Sequence, residues 1–286
     1  MLMDQGFDPF PHNPPFVFQA PSYRFVVVAV DTPVRRMESH HLRYLGYSLE
    51  NPFEPPNEDE MDPCDPYDRH ASHFMVWDAH AKRYIATVRV IPPCDGKTEL
   101  PVHPVFQISD EYGFSLRDLC RPENSIEISR FVVSKTRVRQ ALFHAAEGGG
   151  LSSVKAEALA IGEGAMLALI ASSYRLAVEK NIPHCCSLMV PALAKRLKSL
   201  GIAFKAVGRE IEYHKKKRQI FYISTQEFAQ AIPKMPEEAR KAFLNVALSL
   251  KDRPGPPFFT PRQRINTVWS LPYPMTRYGK PTPFSS

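Results

Sequence analysis

Apolar and polar positions divide the chain into short blocks. Residues 23–30 (YRFVVVAV) form a continuous apolar run rich in β-branched side chains, which predicts a buried strand. Asp31, Thr32 and Pro33 then offer a helix start, and the segment continues to about Glu50. Within it Arg43, Tyr44, Tyr47 and Glu50 recur at helical spacing, so Arg43 and Tyr47 share a face. HFMVWD and YIATVRVI, separated by AHAKR, read as a hairpin. A strand over residues 127–133 and a long helix over about 154–180 follow, then the short strand HCCSLMV. PALAKRLKSLG is an amphipathic helix with Pro191 in its first turn and Gly201 as its stop. AFKAVG and QIFYIS supply the last strands, with helices near Gln226 and Glu237 behind them. This order predicts an α/β fold in which a mixed central sheet is flanked by helices.

One strand breaks the pattern. SIEISRFVVSK carries Glu127 and Arg130 inside an apolar run, and burying either charge unpaired costs several kcal/mol, roughly. An odd spacing sends the two to opposite faces of a regular strand, whereas a β-bulge between them restores a common face and exposes backbone N–H groups. In the preceding strand Ile85, Thr87, Arg89 and Ile91 share a face, which surrounds the Arg89 guanidinium with apolar neighbours and calls for a buried carboxylate. A structural ion pair between strands accounts for these charges as simply as a reacting centre does.

Composition narrows the setting. The chain has 286 residues, 44% hydrophobic and 23% charged, as in ordinary globular proteins. The longest candidate for a membrane span, residues 165–171, is short, and MLMDQGFDPFPHNPP lacks the basic start and apolar middle of a secretory signal. A cytoplasmic protein is expected. Cys64, Cys94, Cys120, Cys185 and Cys186 form no metal-binding spacing, so no metal site is expected. His184 beside Cys185 suggests a Cys–His nucleophile, but neighbours on a strand face opposite ways, and a buried strand is the better reading. Asp62, Asp65 and Asp68 in the proline-studded loop lack the glycine and terminal glutamate of a calcium loop. Neither GxGxxG nor GxxxxGK[ST] occurs. Proline-rich ends set off an arm over residues 1–21 and a tail over 251–286 from a domain over 22–250. The net charge of +6 favours an acidic partner: nucleic acid, a membrane surface, or an acidic protein or phosphorylated cofactor.

Taken together and in order, LRYLGYSLENPFEP, DPYDRHASH, TVRVIPP, EISRFVVSKTRVR, MVPALAKRLKSLGIAF and IEYHKKKRQIFY resemble a known family. It is the acyl-homoserine-lactone synthase and N-acyl amino acid synthase group of GNAT-like acyltransferases, and within it the branch associated with the PEP-CTERM/exosortase system. The resemblance spans about residues 34–224. It implies a GNAT-like sheet and transfer of a fatty acyl group from the phosphopantetheine thioester of acyl carrier protein or CoA to the amine of an amino acid or related acceptor, with no permanently bound cofactor. Glu127 is the implied general base, with Arg89 and Arg130 as its polar network. Arg43 and Tyr47 pack the N-terminal helix over the site, and Asp65 and Asp68 organise the amine's surroundings. Backbone N–H groups of Phe131, Val132 and Val133 are candidate donors to a tetrahedral oxyanion. Two departures qualify the carry-over. Pro63 stands where homoserine-lactone synthases have a glutamate, which disfavours that acceptor. After Val133 the pyrophosphate-binding R/Q-x-x-G-x-G/A of CoA-dependent relatives is missing, which favours a carrier-protein donor.

The acidic carrier gives the positive charge a reader, with Arg137, Arg139, Lys195, Arg196 and Lys198 flanking the expected donor entrance. Lys215, Lys216, Lys217 and Arg218 read as a hairpin's solvated turn. Two alternatives remain: an acetyl-CoA-dependent GNAT acetyltransferase, and a basic binding module for nucleic acid, against which stands the lack of any nucleic-acid-binding signature.

Overall fold

The computed structural model describes residues 17–20, 23–51, 66–78, 81–93, 100–102, 124–145, 151–213 and 216–249. Asp65, the arm before residue 17 and the tail over 251–286 lie outside them. Among the described residues, eight strands form one sheet: β1 (Val17–Ala20), β2 (Tyr23–Ala29), β3 (Ser72–Asp78), β4 (Arg83–Ile91), β5 (Ser125–Val133), β6 (His184–Met189), β7 (Lys205–Tyr213) and β8 (Lys216–Ser224). Their spatial order is β1-β2-β3-β4-β5-β6-β8-β7. Every neighbouring pair is antiparallel except β5 and β6, which run parallel. That parallel step requires a crossover, and the helices α2 (Lys135–Ala145) and α3 (Leu151–Glu179) provide it. Helices α1 (Pro33–Tyr44), α4 (Pro191–Ser199), α5 (Thr225–Ala231) and α6 (Glu237–Ser249) complete the layers.

Local chemistry sets these elements. The Thr32 hydroxyl accepts the Arg35 N–H at 3.3 Å and Pro33 occupies the first turn, as their order predicts for a helix start. The main core lies between α3 and the sheet, where Ile126, Ile128, Val88 and Val90 meet the buried run from Ala165 to Ala171. Tyr174 of α3 stacks on Phe228 with ring centroids 4.7 Å apart and approaches Phe243 of α6, which closes that layer. The other face of β4–β6 carries a smaller cluster of Ile91, Leu100, Val102, Cys186, Ile220 and Tyr222. Cys185 and Cys186 are both buried, one in each cluster.

Several details differ from the sequence reading. β1 falls inside the stretch expected to be an arm, because four residues between prolines are too short to show a period of their own. The apolar stretch of α3 is longer than expected: residues Glu157–Glu179 are long and apolar enough to cross a membrane, yet the helix is largely buried against the sheet. Ile85 packs in the main core with Val88 and Val90 rather than beside Arg89. The basic run does not stay in a turn, since Lys216, Lys217 and Arg218 open β8, where Lys216 and Lys217 are exposed opposite the end of β7. Lys215 lies outside the described residues.

Candidate active site

Strand β5 changes course at its middle. Arg89 pairs with Ser129 and Thr87 with Val132, so Arg130 and Phe131 together face the single residue Val88. This is a β-bulge, and Arg130 takes the left-handed conformation at φ 49°. Pairing with β6 extends from Ser125 opposite His184 to Glu127 opposite Cys186, and the Ser187 hydroxyl then donates to the Ile128 carbonyl at 2.6 Å. Beyond that bond β6 follows β8 as far as Met189 while the bulge carries β5 away to Val133, leaving a wedge between two parallel strands.

A cavity of about 400 Å³ occupies the wedge. Phe131, Val132 and Val133 form one wall, Ala158, Gly162 and Met166 of α3 the floor, and Val190 and Leu193 at the start of α4 the far side. Gly46, Tyr47 and Asn51 close it from the α1 side, and Glu163 and Arg196, an ion pair, sit at its edge. The lining is mostly aliphatic, with polar groups confined to a few positions, as in binding pockets for ligands with a long apolar part. Ladder geometry orients the backbone. The Ser134 N–H donates to the Ile85 carbonyl at 2.9 Å, so Val133, one residue back, directs its N–H and carbonyl away from β4 and toward the wedge.

The approach of α1 to this wall is close. The helix ends in a wide π-type turn, Leu45–Leu49, in which the Glu50 N–H bonds the Leu45 carbonyl at 2.8 Å. Gly46 lies against Val132, where a Cβ would come within 2.5 Å of Cγ1, so only glycine allows this contact. The Tyr47 hydroxyl donates to the Phe131 carbonyl at 3.4 Å, and Arg130 Cζ lies 5.7 Å from the Tyr47 ring centroid. Glu50 then reaches the start of α2. Its carboxylate accepts the Ser134 hydroxyl at 2.6 Å and the backbone N–H groups of Lys135 and Thr136 at 2.7 and 2.9 Å. The amino end of α2, at the rim of the cavity, is therefore already neutralised by an internal anion.

Behind α1 lies a buried charge cluster. Asp68 accepts Arg43 through two contacts, at 3.0 and 3.2 Å, and Arg89 at 3.0 Å. Burial alone would push the Asp68 carboxyl up, but Arg43 and Arg89 outweigh it and hold the group well below the usual carboxylate range. Arg43 also donates to Nδ1 of His73 at 2.7 Å. A guanidinium has no acceptor, so Nδ1 must carry a lone pair and His73 is neutral. Its pKa is accordingly lowered to about 4, first by burial and then by Arg43. The cluster fastens the turn Pro66–Arg69 to α1 and β4.

The sequence candidates thus separate into two groups. Tyr47, Phe131, Val132, Val133 and Arg196 line the cavity. Arg43, Asp68 and Arg89 join in the cluster, and Arg89 Nε donates to Ser129 at 3.0 Å. Glu127 is buried at 2% exposure on the same face of β5 as Ser129, where it accepts the Val102 N–H at 2.9 Å; it is not part of the cavity wall. Arg137 pairs with Glu38 at 3.3 Å, whereas Arg139, Lys195 and Lys198 are exposed on α2 and α4. Sequence reasoning passed over Gly46, His73 and Gly162, and named Glu50 for its helical spacing without giving it a role. Only Glu50 had a usable signal, as a carboxylate at the end of a helix facing a strand-to-helix junction.

Residues 42–145 match the family model described as Acetyltransferase (GNAT) domain. No curated protein matches the chain. Solved structures similar to it include FeeM, an N-acyl amino acid synthase from uncultured soil microbes, at 14% identity over 73% of this chain and 95% of that one, TM-score 0.48. The CoA-dependent acyl-homoserine lactone synthase BjaI, with SAM and isopentyl-CoA, is similar at 15% identity over 76% and 97%, TM-score 0.47. The synthase LasI gives 13% over 71% and 91%, TM-score 0.45. The domain match and the mixed, helix-flanked sheet with its parted parallel pair make the fold GNAT-like, and acyl transfer is the chemistry that match supports.

Proposed function

We propose that the chain is a cytoplasmic N-acyltransferase of the N-acyl amino acid synthase type, in the PEP-CTERM/exosortase-associated branch its motifs resemble. It moves a long-chain fatty acyl group from acyl carrier protein to the amine of an amino acid or related acceptor. The observation that carries this reading is the aliphatic cavity where β5 and β6 part, with the Val133 N–H directed into the gap.

Aminolysis of a thioester needs a neutral amine, a proton acceptor and donors for the oxyanion. The acyl chain lies in the cavity and its carbonyl oxygen meets the backbone N–H of Val133, the one of the Phe131–Val133 stretch that the ladder turns away from β4. The amine nitrogen bonds to the carbonyl carbon, the amine proton passes through a chain of waters to Glu127, which stands off the cavity wall, and the carbon–sulfur bond breaks to release the pantetheine thiolate, which is then protonated. Arg89, bonded to Ser129, and Arg130, over the Tyr47 ring, supply the polar network of β5, while Asp68 and Arg43 fix the layer under which the amine enters. Asp65, three residues before Asp68 in the sequence, is assigned to the amine's surroundings with it. The catalytic unit is the domain over residues 22–250.

Glu50 supports a carrier-protein donor over CoA. The diphosphate of CoA needs a concentrated anion receptor at the cavity rim, and the α2 amino end that would supply one already holds a carboxylate. A carrier protein brings its own acidic surface, for which exposed Arg139, Lys195 and Lys198 are available beside Arg137 and Arg196. The second reading, an acetyl-CoA-dependent acetyltransferase, is favoured by the description of the matching domain.

Mass spectrometry of lipid extracts from a bacterial host expressing the wild type or Glu127→Gln tests both. New long-chain N-acyl amines that disappear in the variant are expected. Acetylated amines alone would select the second reading, and extracts identical to the empty host with folded protein present would count against acyl transfer.

A further inference from the structure

The floor of the cavity contains a glycine with no structural reason to be one. Gly162 is the centre of the row Ala158, Gly162, Met166, spaced four apart on the face of α3 that lines the cavity. Glycine inside a long helix is the least favourable ordinary choice, since its backbone loses the most freedom on folding. Two constraints commonly enforce it, a left-handed backbone or a close neighbour. Neither applies to Gly162: its φ is not positive, and a Cβ built on it meets nothing within 4 Å. Gly46, on the opposite wall, shows the contrast, because its Cβ would strike Val132.

What a side chain at 162 would fill is the cavity itself. We infer that Gly162 sets the length of acyl chain the enzyme accepts, by keeping open the part of the cavity between α3 and β5 into which the end of the chain extends. This rests on the acyl-transfer reading above and adds to it the residue that limits the donor. The physical logic is an exchange: the helix forgoes stability at this position, and the cavity gains depth that alanine or leucine would remove. Met166, one turn further along α3, then forms the next boundary of the row.

The test uses full-length wild type, Gly162→Ala and Gly162→Leu, with a ladder of saturated S-acyl-pantetheines from four to sixteen carbons as probes, by isothermal titration calorimetry. Affinity in the wild type should rise about fourfold per methylene until the chain fills the cavity. Leucine adds four carbons, so in that variant the rise should stop about four methylenes earlier, weakening the longest chains on the order of 100-fold while short ones still bind. Alanine should stop it about one methylene earlier and raise Tm by on the order of 2 °C, because it restores helix propensity. Should leucine fail to fold, the alanine variant alone decides the matter. Length-dependent binding in the wild type with the same limit in both variants, or a lowered Tm for alanine, overturns the role of Gly162. A wild type that binds no acyl-pantetheine overturns the acyl cavity as well.

Discussion

Replacing Asp68 by asparagine removes the carboxylate that holds two buried guanidiniums. Arg43 is 1% exposed and Arg89 2%, and both direct N–H groups at Asp68 within 3.2 Å. Asparagine keeps the shape but presents no charge, so two buried cations lose the carboxylate they share. Breaking a buried pair by removing one partner costs about 3–5 kcal/mol. At about 2–4 °C per kcal/mol for a domain of this size, the loss in Tm is roughly 10 °C. Differential scanning calorimetry at pH 7 reads the Tm and urea denaturation the free energy. A second handle is His73, whose pKa the Asp68 carboxylate raises against stronger lowering by burial and Arg43. Without it the His73 titration, followed by NMR, should move below about 4. The double variant Asp68→Asn, Arg89→Met removes one stranded charge and should recover a large part of the loss. A loss under about 1 kcal/mol, or a double variant no more stable than the single one, would refute the claim that this cluster is an electrostatic clamp rather than a solvated network.

The same cluster makes stability depend on pH. His73 has a folded pKa of about 4 against an ordinary 6.5, so stability is fully present above pH 6.5 and falls by about 3 kcal/mol as pH drops to 4. The depressed Asp68 carboxyl adds further loss below its ordinary range; a denaturation series should lose part of its slope between pH 6.5 and 4 in His73→Gln, the remainder coming from His41 and His184, which burial also lowers, and an unchanged slope would assign it to those two. Gly46→Ala should destabilise by about 1–3 kcal/mol through its clash with Val132, with Val132→Ala restoring much of it in the double variant, and urea denaturation checks both. Reversing Arg139 and Lys195 to glutamate should weaken carrier-protein binding and flatten its dependence on salt, whereas unaltered kinetics would reject these helices as the dock. Arg137 is the poorer probe, because its reversal also strands Glu38.

How much of this was legible in the sequence depended on how local its cause is. The elements followed from runs and caps, which act over a few residues, so α1, α3, the β3–β4 hairpin and β5 stood close to where the pattern placed them. A partner for Arg89 was predictable because a guanidinium among apolar neighbours needs a carboxylate, but its identity as Asp68 was not, since the two are 21 residues apart and meet through a tertiary contact. The features that shape the cavity were the least visible. Gly46 and Gly162 read alike in a sequence, and only their surroundings distinguish a glycine required by a neighbour from one that leaves space. Glu50 capping α2 spans 85 residues and depends on the wide turn after α1, which adds a residue and brings the carboxylate round.

Why a core strand carries Glu127 and Arg130 has a structural answer that does not depend on the proposed chemistry. Up to Ser129, β5 is an ordinary member of the sheet, with Ile126 and Ile128 in the main core and Glu127 turned to the other face, where the Val102 N–H binds it. At Arg130 the left-handed residue and the bulge reset the strand. A large apolar side chain there would have to be covered, whereas arginine can set its guanidinium over the Tyr47 ring. The reset is what parts β5 from β6, so the charge at 130 and the cavity at Phe131–Val133 are two consequences of one backbone feature. It follows that substitutions at 130 should be judged by whether they tolerate φ 49°: glycine would keep the wedge and lose only the guanidinium, while valine would oppose the bulge itself and disturb the cavity.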